Sequence, residues 1–350
     1  MGGRTLGGMK AIGAPRYFPV DHESCLVEFD AAMPEPGPRD LLVQIEAAGV
    51  NPVDTKVRRA LGPEPLAVPR ILGWDAAGVV VATGAEVADF QTGDRVYYAG
   101  DLTRPGANAE FQCVDERLVA HAPATLGFAE AASWPLVSLT AWELLHERMG
   151  VDVHGADAGK ALLVINGAGG VGSVLIQLAK QAGLTVVATA SRVETTAWCR
   201  EMGADHVIDH RLPLSPQMAE LEFGEVPFIA NLYLPDPYWQ ETAQLLAPMG
   251  TLGLIVEPAG PLPVGDPYKA KCARIVWEFM AARAKFQTPD MARQGEILEE
   301  IACRIDAGQL KPVLTRVLRP FSPETLREAH AVMEAGRTHG KWVVTGVLGE

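Results

Sequence analysis

The chain has few cysteines, no surplus of basic residues and no long apolar run, and each shortage removes a class of protein. Cys25, Cys113, Cys199, Cys272 and Cys303 are odd in number, widely scattered and never closely paired. That excludes a disulfide framework and suits free thiols, read as small buried hydrophobes, in a reducing, cytoplasmic compartment. Lysine and arginine number 30 against 43 aspartates and glutamates, giving a formal net charge of -13 and a pI near 5.1. No basic cluster stands out, so neither nucleic acid nor an anionic membrane is an expected partner. No stretch approaches the roughly 18 uninterrupted apolar residues of a membrane span. The first residues show no charged region followed by an apolar signal core, and Met1 to Gly8 read as a loose leader. Repeats and low-complexity segments are missing too. At 350 residues the chain exceeds what one core usually serves, so two domains are expected.

What is present is a phosphate-binding turn. Gly167-Ala168-Gly169-Gly170-Val171-Gly172 directly follows the apolar run Ala161-Leu162-Leu163-Val164-Ile165. Gly167 allows a tight strand-to-helix turn, Gly169 lets backbone approach a diphosphate, and Gly172 lets the next helix pack closely on the strand. The helix N-terminus, with Gly170 and Val171, then faces the anion. Val171, Val174, Leu175, Leu178, Ala179 and Ala182 follow at helical spacing, and Leu184 to Ala188 supplies the next strand. Strand, glycine turn, helix and strand together point to a dinucleotide site rather than to a turn that binds nothing.

Around this motif the hydrophobic period changes along the chain. The first part is strand-rich: Leu42 to Ala47 alternates, Gly78 to Ala82 is β-branched, and clusters such as Pro34-Glu35-Pro36-Gly37-Pro38 punctuate the runs. It reads as a compact antiparallel, barrel-like domain. From about Leu136, strands near 161–165, 185–190, 206–209, 227–230 and 251–256 sit between helical stretches, the pattern of a doubly wound parallel sheet. A helix over 291–307 and a last strand Lys341-Trp342-Val343-Val344 close the chain. The expected architecture is α/β.

Cofactor choice is read at the end of the second strand of that sheet. NAD-specific folds place an acid there, about 20 residues past the glycine turn, to hold the ribose hydroxyls. Here the strand ends Thr189-Ala190-Ser191-Arg192, with no carboxylate to repel a phosphate. A hydroxyl and a guanidinium suit the 2′-phosphate of NADPH, with His210-Arg211 after the third strand closing the same pocket. The rival reading of Arg192 is a solvated surface charge. Asn231, Leu232, Ile255, Val256 and Glu257 follow later strands, at the carboxyl ends where such sheets bind ligands.

Five ordered motifs resemble the medium-chain dehydrogenase/reductase superfamily. They are the glycine turn, Asn51-Pro52-Val53-Asp54-Thr55-Lys56, Ile71-Leu72-Gly73-Trp74-Asp75-Ala76-Ala77-Gly78, Thr92-Gly93-Asp94-Arg95-Val96 and Pro135-Leu136-Val137-Ser138-Leu139-Thr140-Ala141-Trp142. The chain is most similar to the quinone-oxidoreductase-type branch and to proteins called zinc-type alcohol dehydrogenase-like, from Met9 to Gly346. The resemblance implies a GroES-like β-barrel-type catalytic domain (1–137 and 281–350), a Rossmann domain (138–280) and a cofactor in a cleft. It implies a homodimer as well, consistent with the sheet edge expected around Arg274 to Trp277.

In zinc-dependent members of that family a cysteine stands at the position of Asn51, a histidine at Trp74 and a second cysteine at Leu136. All three are absent here, and Asp54 and Asp75 alone do not make such a site, so no metal is expected. The four cysteines of a structural zinc lobe are absent from Tyr97 to Asn108 as well. Val53 and Lys56 stand where relatives carry a relay hydroxyl and a relay histidine. By resemblance Thr140 lies against the nicotinamide, Asn51 lines the substrate cleft and Lys341 lies near it. Asp54 and Lys56 complete the candidate catalytic set, with Lys56 as a conceivable proton donor. Each has a plainer rival: a helix-opening hydroxyl for Thr140, an Asn-Pro turn for Asn51, solvated charges for Lys56 and Lys341. Tyr97, Trp74 and Trp277 are pocket candidates or core.

The expected function is an NADPH-dependent reductase that passes hydride to a quinone or α,β-unsaturated carbonyl. The alternatives are a zinc-type alcohol/aldehyde dehydrogenase and a protein that holds NADPH with little turnover.

Overall fold

A computed structural model describes residues 8–346 and Leu348. The chain forms two compact units, one ending at Leu136 and resuming at Ala281, the other spanning Val137–Met280.

The first unit is built on strands. β1 (Gly8–Ala14), β2 (Val27–Ala32), β3 (Asp40–Val50), β4 (Arg70–Ile71), β5 (Asp75–Thr83), β6 (Arg95–Tyr98), β7 (Phe111–Asp115) and β8 (Val119–His121) precede the second unit. β15 (Leu314–Leu318) and β16 (Lys341–Thr345) follow it. The main sheet runs β15-β16-β3-β5-β6-β8, with β7 also on β3, and β2-β1-β4 form a smaller sheet. All these pairings are antiparallel except β15 with β16. The strand pattern of the amino-terminal part therefore matches its reading as an antiparallel, GroES-like domain.

Strand β16 fixes a long-range register: Trp342 lies opposite Val50, so Lys341 arrives beside the end of β3 from the far end of the chain. Helix α1 (Pro52–Arg59) begins there, with Pro52 in its first turn, where a missing N–H costs nothing. Gly73, at φ 91°, takes a left-handed turn that favours glycine, and β5 starts two residues later at Asp75. Leu41, Val43, Leu72, Trp74, Val80, Val96 and Tyr98 lie in the core that these strands enclose.

The second unit is a six-stranded parallel sheet: β9 (Ala161–Ile165), β10 (Thr185–Thr189), β11 (His206–Ile208), β12 (Val226–Asn231), β13 (Leu246–Leu254) and β14 (Arg274–Trp277), in the order β11-β10-β9-β12-β13-β14. β9 is buried along its whole length, as a strand covered on both faces requires. The order reverses between β9 and β12, the switch point where such sheets bind ligands at strand carboxyl ends. Both ends of one strand moved: β13 spans Leu246–Leu254, where the sequence suggested 251–256, so it starts earlier and Ile255 and Val256 lie past it. Its pairing with β14 ends at Leu254 and Trp277, and the chain leaves the ladder there. Among helices, α2 (Phe128–Ala131) and α3 (Pro135–Trp142) precede α4 (Gly170–Gln181) and α5 (Val193–Glu201).

Candidate active site

The glycine-rich turn of the second unit runs from β9 into α4. Asn166 takes φ 68°, and Gly169 caps α4 without a side-chain hydrogen bond, leaving the first-turn amides facing outward from a helix N-terminus. The turn is tied to the neighbouring strand: Asn166 N donates to Thr189 Oγ1 at 2.9 Å and Gly167 N to Thr189 O at 3.2 Å. Thr189, which sequence reasoning passed over, thus braces the loop. A Cβ on Gly167 would stand 2.8 Å from Ala188 Cβ. On Gly169 its nearest neighbour is the Asn166 Nδ2 at 3.2 Å, so this backbone is open to a ligand.

At the ends of β10 and β11 the chain puts a small polar group of mixed charge. Ser191 and Arg192 follow β10, and Arg192 is the N-cap of α5. Its side chain is 39% exposed and its Nε lies 3.2 Å from Glu194 Oε1, an acid inside α5. His210 is half-buried past β11; burial lowers its pKa, and Arg211 and Arg192 push the same way against Asp209. Its Nδ1 is buried with no hydrogen-bond partner. Arg211 is turned onto Asp209, with a shortest contact of 2.6 Å, and holds that carboxyl down to about 2. Asn231 closes β12 and is 1% exposed, its Oδ1 accepting from Tyr233 N at 3.0 Å in an Asx turn. Thr140 is buried within α3.

The first unit holds a buried ionic cluster. Lys341 Nζ donates to Asn51 Oδ1 at 2.5 Å, to Asp75 Oδ2 at 2.8 Å and to the Val50 carbonyl at 3.1 Å. Asn51 Nδ2 donates to the same Asp75 oxygen at 2.8 Å, while Asp75 Oδ1 accepts from Leu136 N at 2.6 Å. Asn51, Asp54, Asp75 and Lys341 are each no more than 2% exposed. Asp54 Oδ2 accepts from Asn51 N at 2.7 Å, one half of a capping box at the start of α1. Burial pushes the Asp54 carboxyl up to about 7, although the Asn51 amide and the Lys341 charge pull it down.

Asn51, Asp54 and Lys341, singled out separately in the sequence, therefore meet in one cluster, with Asp75 as its hub. Lys341 spends all three ammonium protons inside the protein, so it is neither a solvated strand-edge charge nor a free donor. Lys56 is exposed on α1 and is not among the groups of the cluster. Trp74 and Tyr97 belong to the core rather than to a pocket. The Trp74 indole N–H donates to the Asp101 carbonyl at 3.1 Å, and the Tyr97 hydroxyl to the Leu298 carbonyl at 2.5 Å. Trp277 is 48% exposed. The signal for the hub was a charged residue opening each of two apolar strands, Asp75 on β5 and Lys341 on β16. Buried charges of that kind need partners.

The chain is similar to known proteins along most of its length. Residues 37–131 match the alcohol dehydrogenase GroES-like domain, and residues 202–344 match a zinc-binding dehydrogenase domain. A zinc-type alcohol dehydrogenase-like protein of Staphylococcus aureus is 40% identical over 337 residues, covering 96% of this chain and 99% of that protein. A 2-methylene-furan-3-one reductase of Solanum lycopersicum is 32% identical, over 96% of this chain and 79% of its own length. Among solved structures, a quinone oxidoreductase of Pseudomonas syringae superposes with a TM-score of 0.81 at 25% identity, over 96% of this chain and 99% of that one. The glycine turn at the sheet's switch point, the GroES-like unit and these relatives identify the chain as a member of the medium-chain dehydrogenase/reductase superfamily, an oxidoreductase of the zinc-type alcohol dehydrogenase-like group.

Proposed function

We propose that this protein is an NADPH-dependent reductase that delivers hydride to a quinone or an α,β-unsaturated carbonyl without a catalytic metal. The observation that carries the reading is the cluster of Asn51, Asp75 and Lys341. The positions that hold thiolate, imidazole and thiolate in zinc-dependent relatives are Asn51, Trp74 and Leu136. The indole nitrogen of Trp74 is a donor already given to Asp101, Leu136 offers only backbone, and the oxygens of Asn51 and Asp75 face an ammonium. Zinc wants four nitrogen, sulfur or carboxylate donors in a tetrahedron, and these residues do not fit it. No group of three or more His, Cys, Asp or Glu side chains able to hold a metal ion occurs among the described residues.

The second unit does fit a dinucleotide. The amides at the start of α4, with Gly167, Gly169, Gly170, Val171 and Gly172, take the pyrophosphate. Ser191, Arg192 and His210 take the 2′-phosphate by charge-assisted hydrogen bonds. Thr140, Asn231 and Ile255 border the nicotinamide half. The bound nicotinamide supplies the hydride. A conjugated acceptor spreads the incoming charge, so a hydrogen bond from Asn51 Nδ2 or from water suffices at the oxygen, and solvent delivers the proton. The reductase and quinone oxidoreductase names of two relatives support this acceptor class. The five cysteines, all free thiols, suit the cytoplasm. Strand β14 ends the six-stranded sheet with Trp277 exposed, an edge suited to pairing with its twin in a homodimer, which sedimentation at micromolar concentration reads directly.

Steady oxidation of NADPH by a quinone or an enone tests the reading. Oxidation of secondary alcohols that depends on added zinc would replace it with alcohol dehydrogenase activity. NADPH binding without turnover on any acceptor would leave a binding protein.

A further inference from the structure

Three oxygens from three places in the chain converge on one nitrogen. The Val50 carbonyl, Asn51 Oδ1 and Asp75 Oδ2 all lie 2.5 to 3.1 Å from Lys341 Nζ. An ammonium has three protons and no acceptor, and all three are used. A convergent shell of carbonyl, carboxamide and carboxylate oxygens is the kind of environment that hard cations select. The lysine fills it from within the chain.

The shell also decides which way Asn51 points. Lysine only donates and an ionised aspartate only accepts, so the carboxamide oxygen must face Lys341 and the amide nitrogen must face Asp75. Asn51 Nδ2 carries two protons, of which Asp75 takes one. The second is the donor that this cluster has left to offer.

We propose that Lys341 is the resident cation of this site and a positioning residue: its ammonium stands in the electrostatic role that a metal has in zinc-dependent relatives, and it orients Asn51 toward the substrate oxygen. This rests on the reading of Asn51 given above. Without the ammonium, Asp75 is left as an uncompensated buried charge, and the Asn51 carboxamide is free to flip its oxygen toward solvent or substrate, where it repels the developing negative charge.

The test uses Lys341→Ala, which empties the shell, and Lys341→Met, which fills the volume without charge. Rates of NADPH oxidation with a conjugated acceptor and melting temperatures are measured with and without methylammonium. Lys341→Ala is expected to lose about tenfold or more in kcat, with the KM for NADPH unchanged, and to regain rate with methylammonium but not with bulky tetramethylammonium. Lys341→Met is expected to stay slow in both. A Lys341→Met enzyme with wild-type kcat overturns the proposal, and so does a Lys341→Ala enzyme indifferent to methylammonium. Should Lys341→Ala prove too unstable to assay, its melting temperature carries the test: a rise specific to methylammonium supports the resident cation, and no rise overturns it. Melting does not depend on turnover, so the proposal and the assigned reaction fail separately.

Discussion

A Cβ on Gly172 would stand 2.4 Å from the carbonyl oxygen of Gly167 and 2.7 Å from that of Asn166. Both are backbone atoms in a braced turn, so they have little room to give. Gly169 differs, because its added Cβ would first meet the end of the Asn166 side chain at 3.2 Å, with the Asn166 carbonyl oxygen at 3.6 Å, an ordinary contact. Gly172→Ala is expected to strain the turn and lower the stability of the second unit by about 1–3 kcal/mol. Gly169→Ala is expected to keep its melting temperature yet weaken cofactor binding by about tenfold or more, because a methyl group then stands where backbone approaches the pyrophosphate. Thermal melts and NADPH titrations of the two variants check both statements. Equal effects on binding and stability in both would contradict the division of labour.

The Arg192 and Glu194 side chains are 39% and 60% exposed, and a surface pair of this kind is worth less than about 1 kcal/mol. A phosphate dianion therefore draws the guanidinium away from Glu194 at little cost. NADPH is expected to bind at least about tenfold tighter than NADH, a difference of roughly 1.4 kcal/mol. Arg192→Ala should remove most of that preference, and Glu194→Ala should widen it by freeing Arg192. Fluorescence titration with both cofactors measures it. Equal affinities in the wild type would contradict the phosphate site.

His330, fully buried in the helix Pro323–Glu334, has no hydrogen-bond partner on either ring nitrogen. Burial, helped by the Arg58 charge, lowers its pKa from 6.5 to about 3. Below about pH 6.5 the unfolded chain takes up a proton that the folded chain refuses, so this group costs stability as pH falls toward 3. Asp54 works in the opposite sense: its raised pKa makes the folded chain hold a proton that the unfolded chain releases, so its cost grows as pH rises toward 7. Substitution isolates the histidine. Between pH 6.5 and 5 the wild type is expected to lose about 1.6 kcal/mol more than His330→Leu, because the unfolded imidazole goes from half to nearly fully protonated over that interval while the folded one stays neutral. Urea unfolding at the two pH values measures it, and parallel losses in both proteins would contradict the assignment.

The second unit was largely legible because parallel strands and their helices are local and periodic: the run Ala161 to Ile165, its glycine turn and α4 follow one another in the sequence. The cluster in the first unit was not legible as a cluster. Val50 and Lys341 meet only because β16 returns to pair with β3 from 291 residues away, and no local period encodes that register. The family resemblance put Asn51 and Lys341 near one another only as separate cleft residues. That Lys341 is consumed by Asn51, Asp75 and Val50 follows from geometry alone. For Trp74 and Tyr97 the sequence left pocket and core both open, since each has a polar end that suits a pocket; each finds a backbone carbonyl inside the core. The end of β13 was misplaced because Ile255 and Val256 continue its apolar run past the last pairing with β14.

The central claim is hydride transfer to a conjugated acceptor without metal chemistry, and one measurement tests it most directly. The purified enzyme is stripped with a chelator, its metal content is measured, and its rates are compared with NADPH plus a quinone or enone and with NADP plus a secondary alcohol, before and after stoichiometric zinc. The account predicts that the stripped enzyme reduces the conjugated acceptor at the untreated rate, that zinc adds nothing, and that the alcohol is a poor substrate in every case. Loss of activity on chelation that one equivalent of zinc restores, or faster turnover of the simple alcohol than of any conjugated acceptor, would contradict it.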